Sequence, residues 1–104
     1  MNHALYHVTE FERAEGYRLR IRFDDGLERL IDLEPILWGE LYGPLRDPQL
    51  FRTVRLDPEF KTLVWDNGAD FDPSILHDWP EHEHAWHTLA AKWRSAQPEP
   101  AVKV

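Results

Sequence analysis

Between Tyr17 and Leu33 the chain has little choice of structure. Tyr17, Leu19, Ile21 and Phe23 alternate with Arg18, Arg20 and Arg22, a period of two that turns one side of a strand to a core and the other to water. Asp24-Asp25-Gly26 follows, then a second run from Leu27 to Leu33. A three-residue loop with Gly26 in the left-handed region closes such a hairpin, often with a bulge. It sets Phe23 against Leu27, Ile21 against Arg29, Leu19 against Ile31 and Tyr17 against Leu33. On the other face Arg22 meets Glu28 and Arg18 meets Asp32. A two-residue loop would instead oppose Leu19 to Asp32 and Phe23 to Glu28, so apolar and charged pairs together select the longer loop. Arg29 on the apolar face and Leu30 on the polar one are its misfits.

The flanking segments follow from turn chemistry. Ala4 to Phe11, with Leu5, Tyr6, Val8 and Phe11, reads as a first strand, and Glu15-Gly16 as the turn after it. Glu34 to Pro44 holds Pro35, Gly39, Gly43 and Pro44, too much punctuation for a long helix. Pro35 suits the first turn of a short helix carrying Ile36, Leu37 and Leu41. Asp47-Pro48 and Asp72-Pro73 each read as an N-cap followed by proline at the first helical position. A second hairpin is expected from Val54 and Leu56, a turn at Asp57-Pro58-Glu59, and a strand from Phe60 to Trp65. Asp66-Asn67-Gly68 then closes it as a turn.

From Pro80 to Ala96 there is no glycine, and His82, Trp86, Leu89 and Trp93 recur at spacings of four, three and four. This is one stripe of an amphipathic helix. Five tryptophans are many for one domain of 104 residues, and Trp79, Trp86 and Trp93 all lie in this segment. The helix therefore either packs back on the sheet, the favoured reading, or offers Trp79, Trp86, Leu89 and Trp93 to another chain. Residues 97–104 carry two prolines and read as a flexible tail.

The inventory restricts chemistry more than it suggests any. There is no cysteine, so no disulfide frame and no thiolate metal site is available. The two serines, Ser74 and Ser95, stand in no nucleophile motif. His77, His82, His84 and His87 fall within eleven residues beside Asp78, Glu81 and Glu83, residue types that ligate zinc or nickel. Only His84 and His87 have the spacing that shares a helix face, so the favoured reading is an exposed polar helix start. Asp66, Asp70 and Asp72 suit turn and cap roles better than a paired-carboxylate site. No metal or cofactor is expected. A net charge of −7 disfavours contact with nucleic acid or anionic lipid, although Arg18, Arg20 and Arg22 could form a local cationic strand. With neither a signal peptide nor an apolar run of membrane length in view, a cytoplasmic location is expected.

The order of these features carries a family resemblance. Phe23-Asp24-Asp25-Gly26, the strand ending Ile31-Asp32-Leu33, Phe51, the Val54–Leu56 strand, and Trp65-Asp66-Asn67-Gly68-Ala69-Asp70 leading to Pro73 and Leu76 together resemble the bacterial domain of unknown function 2442 family. The resemblance covers about residues 5–77. It implies a small α+β fold with an antiparallel sheet and no catalytic residues. Some members of the family carry a helix-turn-helix domain after this unit, and others are encoded beside a second small protein, as toxin–antitoxin pairs are. With about twenty-five residues after Leu76, DNA binding through such a domain is not expected here.

The expected architecture is one α+β domain: a small antiparallel sheet of two hairpins plus an N-terminal strand, short helices, and a C-terminal amphipathic helix. Residues 1–78 form the family-type unit, and 79–96 a tryptophan-rich helix belonging to the same domain. The expected function is a non-enzymatic protein–protein interaction module, with an antitoxin-like partner of a two-gene pair as its specific form. A small protein is the expected partner, with a homodimer also open. A dimeric DNA-binding regulator using Arg18, Arg20 and Arg22 is the alternative, and a small metal-binding protein using His82, His84 or His87 the third reading.

Overall fold

The computed structural model describes residues 6–96. Strand β1 (Val8–Arg13), β2 (Arg18–Phe23) and β3 (Glu28–Asp32) form one antiparallel sheet in that order. The β2–β3 register is the expected one: Ile21 opposes Arg29, Leu19 opposes Ile31, Arg22 opposes Glu28 and Arg18 opposes Asp32. Phe23 N–H donates to the Leu27 carbonyl at 2.9 Å, Gly26 N–H to the Phe23 carbonyl at 2.9 Å, and Gly26 takes φ +91°. Leu19, Ile21, Phe23, Ile31 and Leu33 are buried beneath the sheet. Both misfits find a physical solution. Arg29 turns its Nε to the His77 carbonyl at 2.8 Å, and Leu30 remains 51% exposed among the charges of the outer face.

The first strand begins later than expected. Ala4 and Leu5 lie outside the described residues, as does the tail at 97–104, and β1 runs from Val8 to Arg13. A bulge interrupts the strand near its start. Val8 opposes Phe23 while Glu10 opposes Arg22, so one extra residue, Thr9, is inserted between them. In a regular strand residues three apart face opposite sides. The bulge lets Val8 and Phe11 both face inward.

The punctuated middle segment becomes a chain of single turns. A 3₁₀ turn covers Glu34–Ile36, helix α1 covers Gly39–Tyr42, a second 3₁₀ turn Gly43–Arg46, and α2 Pro48–Phe51. The expected helix joining Ile36, Leu37 and Leu41 is therefore broken. Ile36 and Leu37 are buried, but Gly39 at φ +86° redirects the backbone and leaves Leu41 41% exposed. A Cβ built on Gly39 would sit 3.0 Å from Cδ2 of the Trp93 indole. Gly39→Ala is therefore expected to lower stability by about 2 kcal/mol, combining left-handed strain with overpacking. Urea unfolding followed by tryptophan fluorescence reads this, and an unchanged midpoint would show that Trp93 yields freely.

The second hairpin is shorter than expected and forms its own sheet. Strand β4 (Arg55–Leu56) pairs with β5 (Leu63–Val64), two residues each. Phe60 and Lys61 belong to the loop rather than to the strand. Asp57 Oδ2 accepts from Phe60 N–H at 2.6 Å, the Asp57 carbonyl accepts from Lys61 N–H at 2.8 Å, and Lys61 takes φ +56°. The next turn repeats the construction of the first hairpin. Trp65 N–H reaches the Ala69 carbonyl at 2.9 Å, and Gly68 takes φ +90°. Asn67 keeps a negative φ and uses its Oδ1 to accept from Ala69 N–H at 3.1 Å.

Both Asp-Pro signatures open helices. Asp47 accepts from Gln49 N–H at 3.0 Å to cap α2, and Asp72 accepts from Ser74 N–H at 2.8 Å to cap α3 (Pro73–His77). Helix α4 runs from Trp79 to Ala96, the span expected for the tryptophan-rich helix. Trp65 lies at the centre of the core, 1% exposed, its ring against Phe51 and Phe71 and its Nε1–H donating to the Phe51 carbonyl at 3.0 Å. The fold is α+β, a three-stranded and a two-stranded antiparallel sheet joined by short helices and closed by α4.

Candidate interaction surface

Helix α4 packs on its own domain through aromatic rings. Trp79 is buried, and Trp86 and Trp93 are half-buried. Tyr42, at the end of α1, is the hub: its ring centroid lies 4.9 Å from Phe71, 5.6 Å from Trp86 and 6.0 Å from Trp93. Trp86 also meets Phe71 at 5.3 Å and Trp79 at 6.4 Å. These offset and edge-on pairs are the arrangements the ring quadrupole favours. The Tyr42 hydroxyl donates to the Asp70 carbonyl at 2.7 Å. Burial, reinforced by the Asp70 charge, pushes its pKa up to about 12, so the phenol stays neutral at physiological pH. Nearby, Trp38 carries the guanidinium of Arg46 at 4.4 Å and that of Arg94 at 4.8 Å from its ring centroid, which ties α4 to the middle segment.

The four residues singled out for contact with another chain thus separate. Trp79, Trp86 and Trp93 pack in cis, whereas Leu89 is 42% exposed. The buried line of α4 passes through Ala90, fully enclosed, and leaves Leu89 on its flank. Hydrophobicity alone hides this, because alanine is small enough to lie against another backbone and leucine is not. Leu89 stands between Trp86 and Trp93, and exposed Leu41 precedes Tyr42, the ring both tryptophans touch. A rigid aromatic layer with exposed leucines beside it has the chemistry of a contact surface.

The histidines do not act together. His82 and His87 are half-buried and His84 is exposed on α4, while His87 Nε2 lies 3.7 Å from Glu83. His77 departs from the expected exposed helix start: it is buried at the C-terminal end of α3. Its Nδ1 lies 2.7 Å from Asp78 Oδ1 and its Nε2 2.8 Å from Asp25 Oδ2, so both ring nitrogens face carboxylates. Tyr6 stacks on the ring at 3.5 Å and Phe23 meets it edge-on at 5.0 Å. Burial opposes the charged ring, but the two carboxylates outweigh it and raise the His77 pKa. The Leu27 N–H first, and His77 second, lower that of Asp25. With both nitrogens occupied, the imidazole has no lone pair free for general-base work. It is a clamp between α3 and the β2–β3 loop.

The other chemistry-bearing residues serve structure too. Asp66 pairs with Arg55 at 2.8 Å, and Asp72 caps α3. Among the described residues no group of three or more His, Asp or Glu could hold a metal ion. On the outer face of the sheet Arg18 lies 3.9 Å from Asp32, Arg20 3.5 Å from Glu12, and Arg22 3.8 Å from Glu10 and 3.6 Å from Glu28. Every arginine of that strand has a carboxylate beside it. No helix among the described residues is long and apolar enough to cross a membrane.

Comparison with curated proteins gave no match, and comparison with solved structures gave none. A family model described as Protein of unknown function (DUF2442) matches residues 8–81, from the first residue of β1 into the first turn of α4. That span covers most of the chain and both glycine-closed loops, and on it the chain belongs to this family.

Proposed function

We propose that the domain is a non-enzymatic protein–protein interaction module whose contact surface is the flank of α4 around Leu89. The observation that carries the reading is the pairing of Leu89, 42% exposed, with Trp86 and Trp93, whose rings are already held by Tyr42. Rings ordered before binding lose little entropy on contact, which suits them as anchors. The occupied nitrogens of His77 and the structural use of Asp66 and Asp72 favour a role without catalysis. In this reading the partner is a second small cytoplasmic protein, and the antitoxin-like half of a two-gene pair is its specific form. The paired arginines of β2 weigh against a DNA-binding dimer.

Leu89→Asp tests the surface without disturbing the fold. Its side chain is exposed, so stability is expected to change by no more than about 0.5 kcal/mol. A carboxylate facing an apolar partner surface should weaken binding by at least about tenfold. Retained affinity in a variant that melts like the wild type would remove α4 from the interface.

A further inference from the structure

A second site lies between the β1–β2 turn and α2. The β1–β2 turn and α2 enclose a cleft of about 310 Å³ lined by Arg13, Gly16, Tyr17, Pro48, Phe51 and Arg52. Its floor is built rigidly. Tyr17 meets Phe51 edge-on at 5.0 Å, the Tyr17 hydroxyl donates to the Arg46 carbonyl, and the Asp47 cap with Pro48 fixes the start of α2. Arg13 opposes Leu19, so it projects from the core side of β1 at the end of that strand.

The two arginines stand apart from the other seven in the chain. Arg18, Arg20, Arg22, Arg46 and Arg55 pair with carboxylates. Arg29 donates to a carbonyl, and Arg94 lies over Trp38. Among the arginines, only the side chains of Arg13 and Arg52 have no ion pair, hydrogen bond or ring contact among the described residues, and they line one cleft. In a chain with 19 acidic and 12 basic residues, that leaves an unneutralised cationic pocket with an aromatic floor on an acidic protein. Guanidinium groups recognise carboxylates through paired hydrogen bonds, and Tyr17, Pro48 and Phe51 suit an apolar neighbour of such a group.

We infer that this cleft binds an acidic peptide segment of the partner chain, one Asp or Glu side chain held by Arg13 and Arg52 and an adjacent apolar side chain laid on Tyr17 and Phe51. The volume suits two or three side chains at most, about the lower end of ligand-site sizes. A polyanion is disfavoured, because the net charge of −7 and the neighbouring Glu12 and Glu15 oppose an extended phosphate backbone. The source of the peptide rests on the interaction-module reading, but the cleft does not involve α4.

The test is a ¹⁵N–¹H NMR titration of the full chain with acetyl-Phe-Glu-Phe-amide, its Gln counterpart, inorganic phosphate and a single-stranded oligonucleotide. The Glu peptide is expected to shift amides at 13–17 and 49–52, and the Gln peptide to bind about tenfold more weakly. Arg13→Gln/Arg52→Gln should abolish the difference between the two peptides while keeping the wild-type melting temperature. Leu89→Asp should leave the titration unchanged, so failure of this site and failure of the α4 surface are read separately. Equal binding of the Glu and Gln peptides to the wild type would overturn the inference, as would tighter saturation of the same amides by phosphate or the oligonucleotide.

Discussion

Replacing His77 with alanine is expected to destabilise the domain by about 3 kcal/mol, far more than an ordinary histidine substitution. The ring is enclosed, stacked on Tyr6, and hydrogen-bonded at both nitrogens, so its removal leaves a hole with two carboxylates facing it. The pH dependence distinguishes this clamp from simple packing. The folded state raises the His77 pKa from 6.5, so its electrostatic stabilisation is complete below 6.5 and is lost as pH rises through the higher folded value. The folded state lowers the Asp25 pKa from 3.8, so that contribution is present above 3.8 and is lost as pH falls through the lower folded value. Between 3.8 and 6.5 both are in place. The difference between wild type and His77→Ala, measured by urea unfolding, should therefore be larger at pH 5.5 than at pH 9. A difference independent of pH would mean that the ring serves packing alone.

Trp65→Ala is expected to cost about 4 kcal/mol, a large part of the total stability of a domain this size. Trp65 combines three roles: it fills the space between Phe51 and Phe71, its indole N–H satisfies the Phe51 carbonyl, and its backbone opens the Asn-Gly turn. The melting temperature should fall by roughly 15–30 °C. Trp65→Phe separates the first two roles. It keeps most of the apolar volume but removes one of the two donors to the Phe51 carbonyl, which keeps Val54 N–H at 3.3 Å, so a loss of about 1 kcal/mol is expected. Thermal circular dichroism of the three proteins measures both steps, and equal melting of Trp65→Ala and wild type would show that the site collapses without cost.

What could be read from the sequence depended on how local each cause was. The β2–β3 register was legible because period-two apolar residues and charge pairs selected the same loop, and the pairs Leu19–Ile31 and Arg18–Asp32 form as expected. The helix caps at Asp47 and Asp72 were legible because they act within two residues. The bulge at Thr9 was hinted at only by Val8 and Phe11, both apolar at a spacing that no regular strand can bury on one side. Phe60 misled because an aromatic residue beside a strand looks like strand, whereas Asp57 holds it in a loop at 67% exposure.

The His77 clamp and the arginine cleft are non-local. Asp25 reaches His77 across 52 residues, and no spacing rule brings them together. Arg13 and Arg52 line one cleft only after β1 and α2 are in place. The apolar stripe of α4 was half-legible: the spacing of Trp86 and Trp93 marks it, but the exchange of Leu89 for Ala90 on the packed side required the fold.

The decisive experiment is affinity purification of the tagged chain from its native host at endogenous expression, beside the same chain carrying Leu89→Asp, with mass spectrometry of what co-elutes. An interaction module working through α4 predicts one stoichiometric small protein with the wild type and its loss from the variant. A wild-type chain that elutes alone, or a partner held equally by Leu89→Asp, would contradict that account.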